Sequence, residues 1–238
     1  LLACNNLSGV VPQIAVIAGP CVGSAALIAA NADVTVAVKE TDYYLNPGDE
    51  SAPASLYAEN EEEALSKVRE LIALLPANNL AGPALFDFAA PSKALDLVKY
   101  SAAGAIAALA DEGSTVELYA GYGKNIVTAL ATINGSAVGI LATEKAALCH
   151  KAARFVRLCD AYSIPVVTVV NTEGFGKSEG DDQAGGIRQA ARMAGVYAEA
   201  TTVKVAVLAG EAVGPAYTGF AACADWRVAV QGCTVAPL

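Results

Sequence analysis

Residues 13–25, QIAVIAGPCVGSA, and residues 204–216, KVAVLAGEAVGPA, are two versions of one segment, with seven of thirteen positions identical and Ile/Val and Ile/Leu exchanges among the rest. After a one-residue slip, Ala32-Asp33-Val34-Thr35-Val36-Ala37-Val38 aligns with Ala224-Asp225-Trp226-Arg227-Val228-Ala229-Val230, five of seven identical. In each copy a β-rich run meets a glycine-containing turn, then an Ala-rich stretch, then a second β-rich run. That order predicts strand, turn, helix and strand. One α/β unit is used twice.

The second copy follows a structured stretch of its own, from about Pro91 to Thr201, whereas the first copy begins almost at residue 1. The expectation is a first unit that is incomplete here, in a chain that is part of a longer protein, which also stops soon after a strand with no closing helix. Residues 1–80 are assigned to the first unit, 81–91 to a linker within the Gly- and Pro-containing segment Asn78–Pro91, and 92–238 to the second unit. Between the copies, Glu61–Leu75 (EEEALSKVRELIALL) carries acids in its first turn and apolar Leu65, Val68, Leu71, Ile72 and Leu75 at helical spacing, closed by Pro76. Further helices are expected over Ala94–Leu109, His150–Tyr162 and Ile187–Ala200, and strands over Val116–Leu118, Ile126–Ile133, Ala137–Ala142 and Val166–Val170. Asn134-Gly135 is a hairpin signal. Leu45–Asn60 reads as a loop whose pieces need not be contiguous, and backbone breaks are expected between Tyr44 and Glu62 and around Gly176–Gln183.

Composition narrows the function. With 238 residues, 55% of them hydrophobic and 16% charged, the chain can bury a sizeable core. Mean hydropathy is +0.44, yet the apolar runs are short and broken, below the roughly 18 residues a membrane span needs. A net charge of −9 disfavours nucleic acid and anionic lipid. The cysteines, Cys4, Cys21, Cys149, Cys159, Cys223 and Cys233, lack CxxC spacing and are expected mostly as small buried hydrophobes of a cytoplasmic protein. With a single His, no metal is expected.

Several stretches, taken together, resemble the carboxyltransferase subunits of biotin-dependent acyl-CoA carboxylases and of the decarboxylases of methylmalonyl-CoA or glutaconyl-CoA. They include Val11-Pro12-Gln13-Ile14 through Gly19-Pro20-Cys21-Val22-Gly23-Ser24-Ala25, Leu74-Leu75-Pro76 with Asn78-Asn79, and Tyr122-Gly123-Lys124-Asn125-Ile126. Also included are Ala153-Arg154-Phe155-Val156-Arg157 with Cys159-Asp160-Ala161, then Ile164-Pro165, Gly174-Phe175, Gly185 with Arg188, Ala198-Glu199-Ala200-Thr201, and Gly214 with Ala216-Tyr217. The resemblance implies tandem crotonase-like domains, acyl-CoA held by the first and biotin by the second domain of a neighbouring subunit. It also implies a biotin carrier protein, a biotin carboxylase or decarboxylase partner, and a homo-oligomer from dimer to hexamer.

Moving a carboxyl group from carboxybiotin to the α-carbon of an acyl thioester builds negative charge on the ureido oxygen and on the thioester oxygen. Backbone N–H groups at a helix start suit both. The resemblance therefore assigns Gly23 and Ser24 to a thioester-side hole, with Ala25 and Thr218 toward substrate. Gly214 and Ala216, walled by Gly174 and Phe175 and joined by Tyr217, form the biotin-side hole. Taken alone, each Gly turn needs no role beyond joining strand to helix; the duplication and the resemblance together favour the holes. Two departures stand out: Pro215, which has no N–H, where the family usually has a second Gly, and Glu173 where it usually has Pro. A noncatalytic scaffold subunit and a crotonase-type hydratase or isomerase using Glu173 are the alternatives.

Other candidates carry less. His150 at a helix start reads as a surface or capping residue before a general base; Arg154, Arg157 and Arg188 read as salt-bridged before phosphate ligands. Asp33 and Asp225, at equivalent places, point to a shared structural job. The Glu59 to Glu63 acids read as a solvated helix start. Ser24 has no His/Asp partner in its vicinity, which argues against a serine hydrolase.

Overall fold

The computed structural model describes residues 1–144, 149–175 and 185–236. The first copy runs as α1 (Leu2–Leu7), β1 (Ile14–Ile17), β2 (Cys21–Val22), α2 (Ser24–Ala30), β3 (Val34–Val38), β4 (Tyr43–Tyr44), β5 (Leu56–Ala58) and α3 (Glu61–Leu74). The remainder is α4 (Ala102–Leu109), β6 (Val116–Leu118), β7 (Ile126–Ile133), β8 (Ser136–Thr143), α5 (Cys149–Ala161), β9 (Val166–Thr172), α6 (Gly186–Glu199), β10 (Lys204–Val213), α7 (Pro215–Phe220), β11 (Trp226–Ala229) and β12 (Thr234–Ala236).

The repeat is structural, residue for residue. β1 pairs with β3 in parallel, Ile14 opposite Val34, and β10 pairs with β11 in parallel, Val205 opposite Trp226. These are aligned positions of the two copies. The equivalence continues past the sequence match: Cys21 and Val22 oppose Tyr43 and Tyr44, as Ala212 and Val213 oppose Val235 and Ala236. Asp33 and Asp225 share a task, each carboxylate accepting the amide of the residue that opens the first strand region: Gln13 N–H at 2.8 Å and Lys204 N–H at 2.7 Å. The copies differ in their neighbours. β10 is flanked by β9 in a sheet ordered β11-β10-β9-β8-β7-β6, whereas β1 lies in a sheet ordered β1-β3-β5.

Helices cover both faces of the larger sheet. Ala102, Ala105 and Ile106 of α4 pack on Ala129, Ala131 and Ile140 from one side. On the other, Phe155, Cys159, Met193, Tyr197 and Phe220 of α5, α6 and α7 join Val34, Val36, Leu71 and Leu74 of the first copy in one continuous core. The β7–β8 hairpin turns through Asn134 (φ 51°) and Gly135 (φ 75°), the two left-handed residues of the tight turn that Asn-Gly favours.

Several expectations need correction. Only Ala102–Leu109 of the expected Ala94–Leu109 helix is helical: Asp96 Oδ1 accepts the amides of Val98 and Lys99 in a local turn, and Ser101 caps the shorter helix through Gly104 N–H at 3.1 Å. In α3 the buried face is Ala64, Leu71 and Leu74, while Leu65 and Ile72 are 52% and 62% exposed. The helix leans on its small residue, Ala64. The Ala84–Ala89 segment docks on the second unit, with Phe86 N–H donating to Gly135 O at 2.7 Å and Glu112 N–H to Ala89 O at 3.2 Å. Within the segment expected as a loop, β5 (Leu56–Ala58) pairs in parallel with β3. Residues 176–183 lie outside the described residues. Of Cys4, Cys21, Cys159, Cys223 and Cys233, Cys159 is buried, Cys223 is exposed and the other three are half-buried.

Candidate active site

Both glycine turns sit where a strand ends and a helix begins. Gly23 holds φ 58°, ψ −124° ahead of α2, and Gly214 holds φ 55°, ψ −123° ahead of α7. A side chain is strained in that conformation, so glycine is required at both. Their own amides are already used: Gly23 N–H donates to Tyr44 O at 3.0 Å and Gly214 N–H to Ala236 O at 2.8 Å. Each glycine therefore anchors the turn, and the donors left over are the next amides.

In the first turn, the bond from Leu27 N–H to Gly23 O at 3.1 Å opens α2, so Ser24, Ala25 and Ala26 precede its ladder. Ser24 and Ala25 are exposed. In the second, Thr218 N–H donates to Gly214 O at 3.0 Å, which leaves Ala216 and Tyr217 ahead of the α7 ladder, with Pro215 contributing no donor. Ala216 is buried and Tyr217 half-buried. Thr218 is exposed and turns its hydroxyl back to Gly214 O at 3.2 Å.

Beside the second turn lies the end of β9, the parallel neighbour of β10, where the sequence places Gly174 and Phe175. Carboxyl ends of parallel strands are where open α/β sheets place ligands. Gly174 (φ 117°) is tied to Thr172: Gly174 N–H donates to Thr172 Oγ1 at 3.2 Å, so this amide too is engaged. Phe175 stacks on Phe220 of α7 with ring centroids 5.8 Å apart. That contact fastens the β9 loop to the carboxyl end of α7. Among the described residues, the chain supplies no counterpart of Gly174–Phe175 beside β1.

Sequence reasoning missed two polar side chains that brace the backbone. Between Leu208 and Ala212 the β9–β10 register shifts, and Asn171 Oδ1 accepts Glu211 N–H there at 3.1 Å. A Cβ on Gly210 would lie 2.1 Å from that oxygen; the recurring Ala-Gly of the two copies was the available signal. Lys151 is the other. Buried on α5, it donates to Tyr119 O at 2.9 Å and Tyr122 O at 3.0 Å, and burial lowers its pKa to about 8.

The remaining candidates fall outside the turns. Arg154 is structural, though not through a salt bridge: it donates to Ala30 O and Ala32 O at 3.3 and 3.1 Å and lies 5.7 Å from the Tyr119 ring centroid. Arg157 and Arg188 are exposed and make no ion pair among the described residues, and His150 and Glu173 are exposed. No group of three or more His, Cys, Asp or Glu that could hold a metal occurs among the described residues, and no described helix is long and apolar enough to cross a membrane.

The carboxyl transferase domain model matches residues 48–224. The chain belongs to the carboxyl transferase domain family. It is 33% identical to the propionyl-CoA carboxylase beta chain of Saccharopolyspora erythraea, over 90% of this chain and 48% of that protein. It is 32% identical to the methylmalonyl-CoA decarboxylase subunit alpha of Veillonella parvula, over 90% of this chain and 50% of that one. The chain thus spans about half the length of these relatives. Among solved structures, the transcarboxylase 12S crystal structure with methylmalonyl-coenzyme A and methylmalonic acid bound superposes with a TM-score of 0.90 at 30% identity. That match covers 99% of this chain and 55% of the other. The mixed α/β architecture is accordingly the crotonase-like fold of this family's carboxyltransferases.

Proposed function

We propose that this chain carries out carboxyl transfer between a biotin-borne carboxyl group and the α-carbon of an acyl-CoA, within a biotin-dependent carboxylase or decarboxylase. The observation that carries the reading is the pair of turns at Gly23 and Gly214, matched in backbone and each followed by helix-start amides. Residues 1–80 form the acyl-CoA unit, 81–91 the connection and 92–238 the biotin unit. The relatives' names, propionyl-CoA carboxylase and methylmalonyl-CoA decarboxylase, support an acyl-CoA substrate; the biotin carrier protein is part of the proposal. Transcarboxylase 12S assembles as a hexamer, which supports a homo-oligomer here.

In the acyl-CoA unit, the amides of Ser24 and Ala25 would face the thioester oxygen. Negative charge that develops at the α-carbon during transfer is shared with that oxygen, and donors fixed beforehand stabilise it without reorganising; one such donor is worth roughly 3–4 kcal/mol. In the biotin unit the amides of Ala216, at the start of α7, and Phe175, just past β9, would hold the ureido oxygen of biotin. Biotin, when bound, supplies the carboxyl group. The chain's own contribution there is orientation and charge stabilisation, with no side-chain acid required.

The test is biotin-dependent transfer between carboxylated biotin and propionyl-CoA by the purified assembly with its carrier. Transfer that disappears when the carrier's biotin is removed supports the reading; an assembly that binds acyl-CoA and carrier but never transfers overturns it. Pro215, which removes one donor from the second turn, is the observation in favour of the scaffold alternative.

A further inference from the structure

We propose that the cleft between α5, α6 and the carboxyl end of α2 is a binding site for the diphosphate group of a small molecule. The cleft encloses about 710 Å³, within the range typical of small-molecule sites. Its cationic lining is unusual in a chain of net charge −9. His150, Arg154 and Arg157 stand on one face of α5 at helical spacing, and Gln189 and Arg192 face the same cleft from α6. The turns at Gly23, Gly174 and Gly214 do not line it, so it is a site apart from the reacting atoms.

The arginines divide by role. Arg154 is committed to Ala30 O and Ala32 O and forms a fixed wall. Arg157 and Arg192 are exposed and, among the described residues, form neither hydrogen bond nor ion pair; the ion pairs there are Lys39–Glu59 and Lys67–Glu63. The one carboxylate lining the cleft, Asp33, is already bound by Gln13 N–H and lies 2.7 Å from the Tyr162 hydroxyl. Two unneutralised guanidinium forks on neighbouring helices would each take one of two adjacent phosphate groups, since a fork can donate two parallel bonds to one phosphate. Single carboxylates would satisfy only one of them. The diphosphate could come from coenzyme A or from a free nucleotide, and the two are separable.

Titration calorimetry of the intact assembly with inorganic pyrophosphate tests the site. Saturable binding near one per chain is expected, weakened at least tenfold in Arg157→Gln/Arg192→Gln and partly recovered in Arg157→Lys/Arg192→Lys, with melting temperatures unchanged. Should the Gln pair fail to fold, Arg192→Lys alone is read by phosphorus NMR, where a several-fold loss of affinity is expected. No saturable binding, or equal affinity in wild type and variant, overturns the proposal. Displacement of pyrophosphate by acyl-CoA assigns the diphosphate to the substrate, with a raised KM and unchanged kcat in the Gln variant; displacement by ADP but not by acyl-CoA assigns it to a nucleotide. Carboxyl transfer that persists while pyrophosphate never binds would refute this site and leave the proposed activity intact.

Discussion

Gly23 and Gly214 lie in corresponding turns and commit their own amides in the same way, to Tyr44 O at 3.0 Å and Ala236 O at 2.8 Å. The strand beside each turn, and not the helix after it, therefore fixes where the next amides point. Substituting Ala at either glycine meets open space or a single contact at 3.9 Å, so the cost comes from the positive φ: about 1–3 kcal/mol. Gly214→Ala and Gly23→Ala should each lower the melting temperature. Transfer should fall by more than the lost folded fraction, measured as kcat per folded chain by activity and circular dichroism together.

Pro215→Gly returns a donor to the biotin-side turn. Turnover with carboxylated biotin should rise while KM for acyl-CoA stays nearly constant, because Ser24 and Ala25 belong to the other copy. The freer backbone costs roughly 0.5–1 kcal/mol of local order. Flat turnover in a steady-state assay would remove the second turn from the mechanism.

Lys151 gives the pH dependence a sign. Burial depresses its pKa from 10.5 to about 8, so between those values the unfolded chain binds more protons than the folded one, and this residue's contribution to stability grows as pH rises from about 8 to 10.5. The unfolding free energy of wild type relative to Lys151→Met should therefore increase across that window in urea titrations. A difference independent of pH would mean that the ammonium is solvated. Below about pH 8 both states hold the proton, and Lys151→Met still loses the bonds to Tyr119 O and Tyr122 O.

Gly135→Ala tests the docking of the Ala84–Ala89 segment. Its Cβ would fall 2.3 Å from Phe86 O at a residue with φ 75°. Backbone on both sides cannot yield cheaply, and a loss above about 2 kcal/mol is expected from strain plus a displaced segment. Chemical denaturation checks it, and faster proteolysis near Phe86 should accompany the loss.

The duplicated unit was legible because its glycines and apolar positions recur at matching spacing, and Asp33 and Asp225 even disclosed a common task. The pairing of β2 with β4 and of β10 with β12 was not legible, since Tyr43-Tyr44 and Val235-Ala236 share no side-chain pattern while their backbones do the same work. In each turn the sequence marks the glycine that bends, and only the coordinates reveal that Tyr44 O and Ala236 O accept its amide, which leaves the following amides as the proposed donors. Lys151 escaped notice because nothing in the composition of α5 distinguishes a buried lysine from a solvated one. Leu65 and Ile72 misled for the reverse reason, being apolar residues on the outer side of α3.

The shared core has a thermodynamic corollary. Because Val34, Val36, Leu71 and Leu74 pack into the same cluster as Phe155, Tyr162 and Phe220, neither copy can withdraw from that cluster without exposing the other's side of it. Heating should then produce a single calorimetric transition with matching van't Hoff and calorimetric enthalpies. Damage to this shared cluster would be felt in both copies.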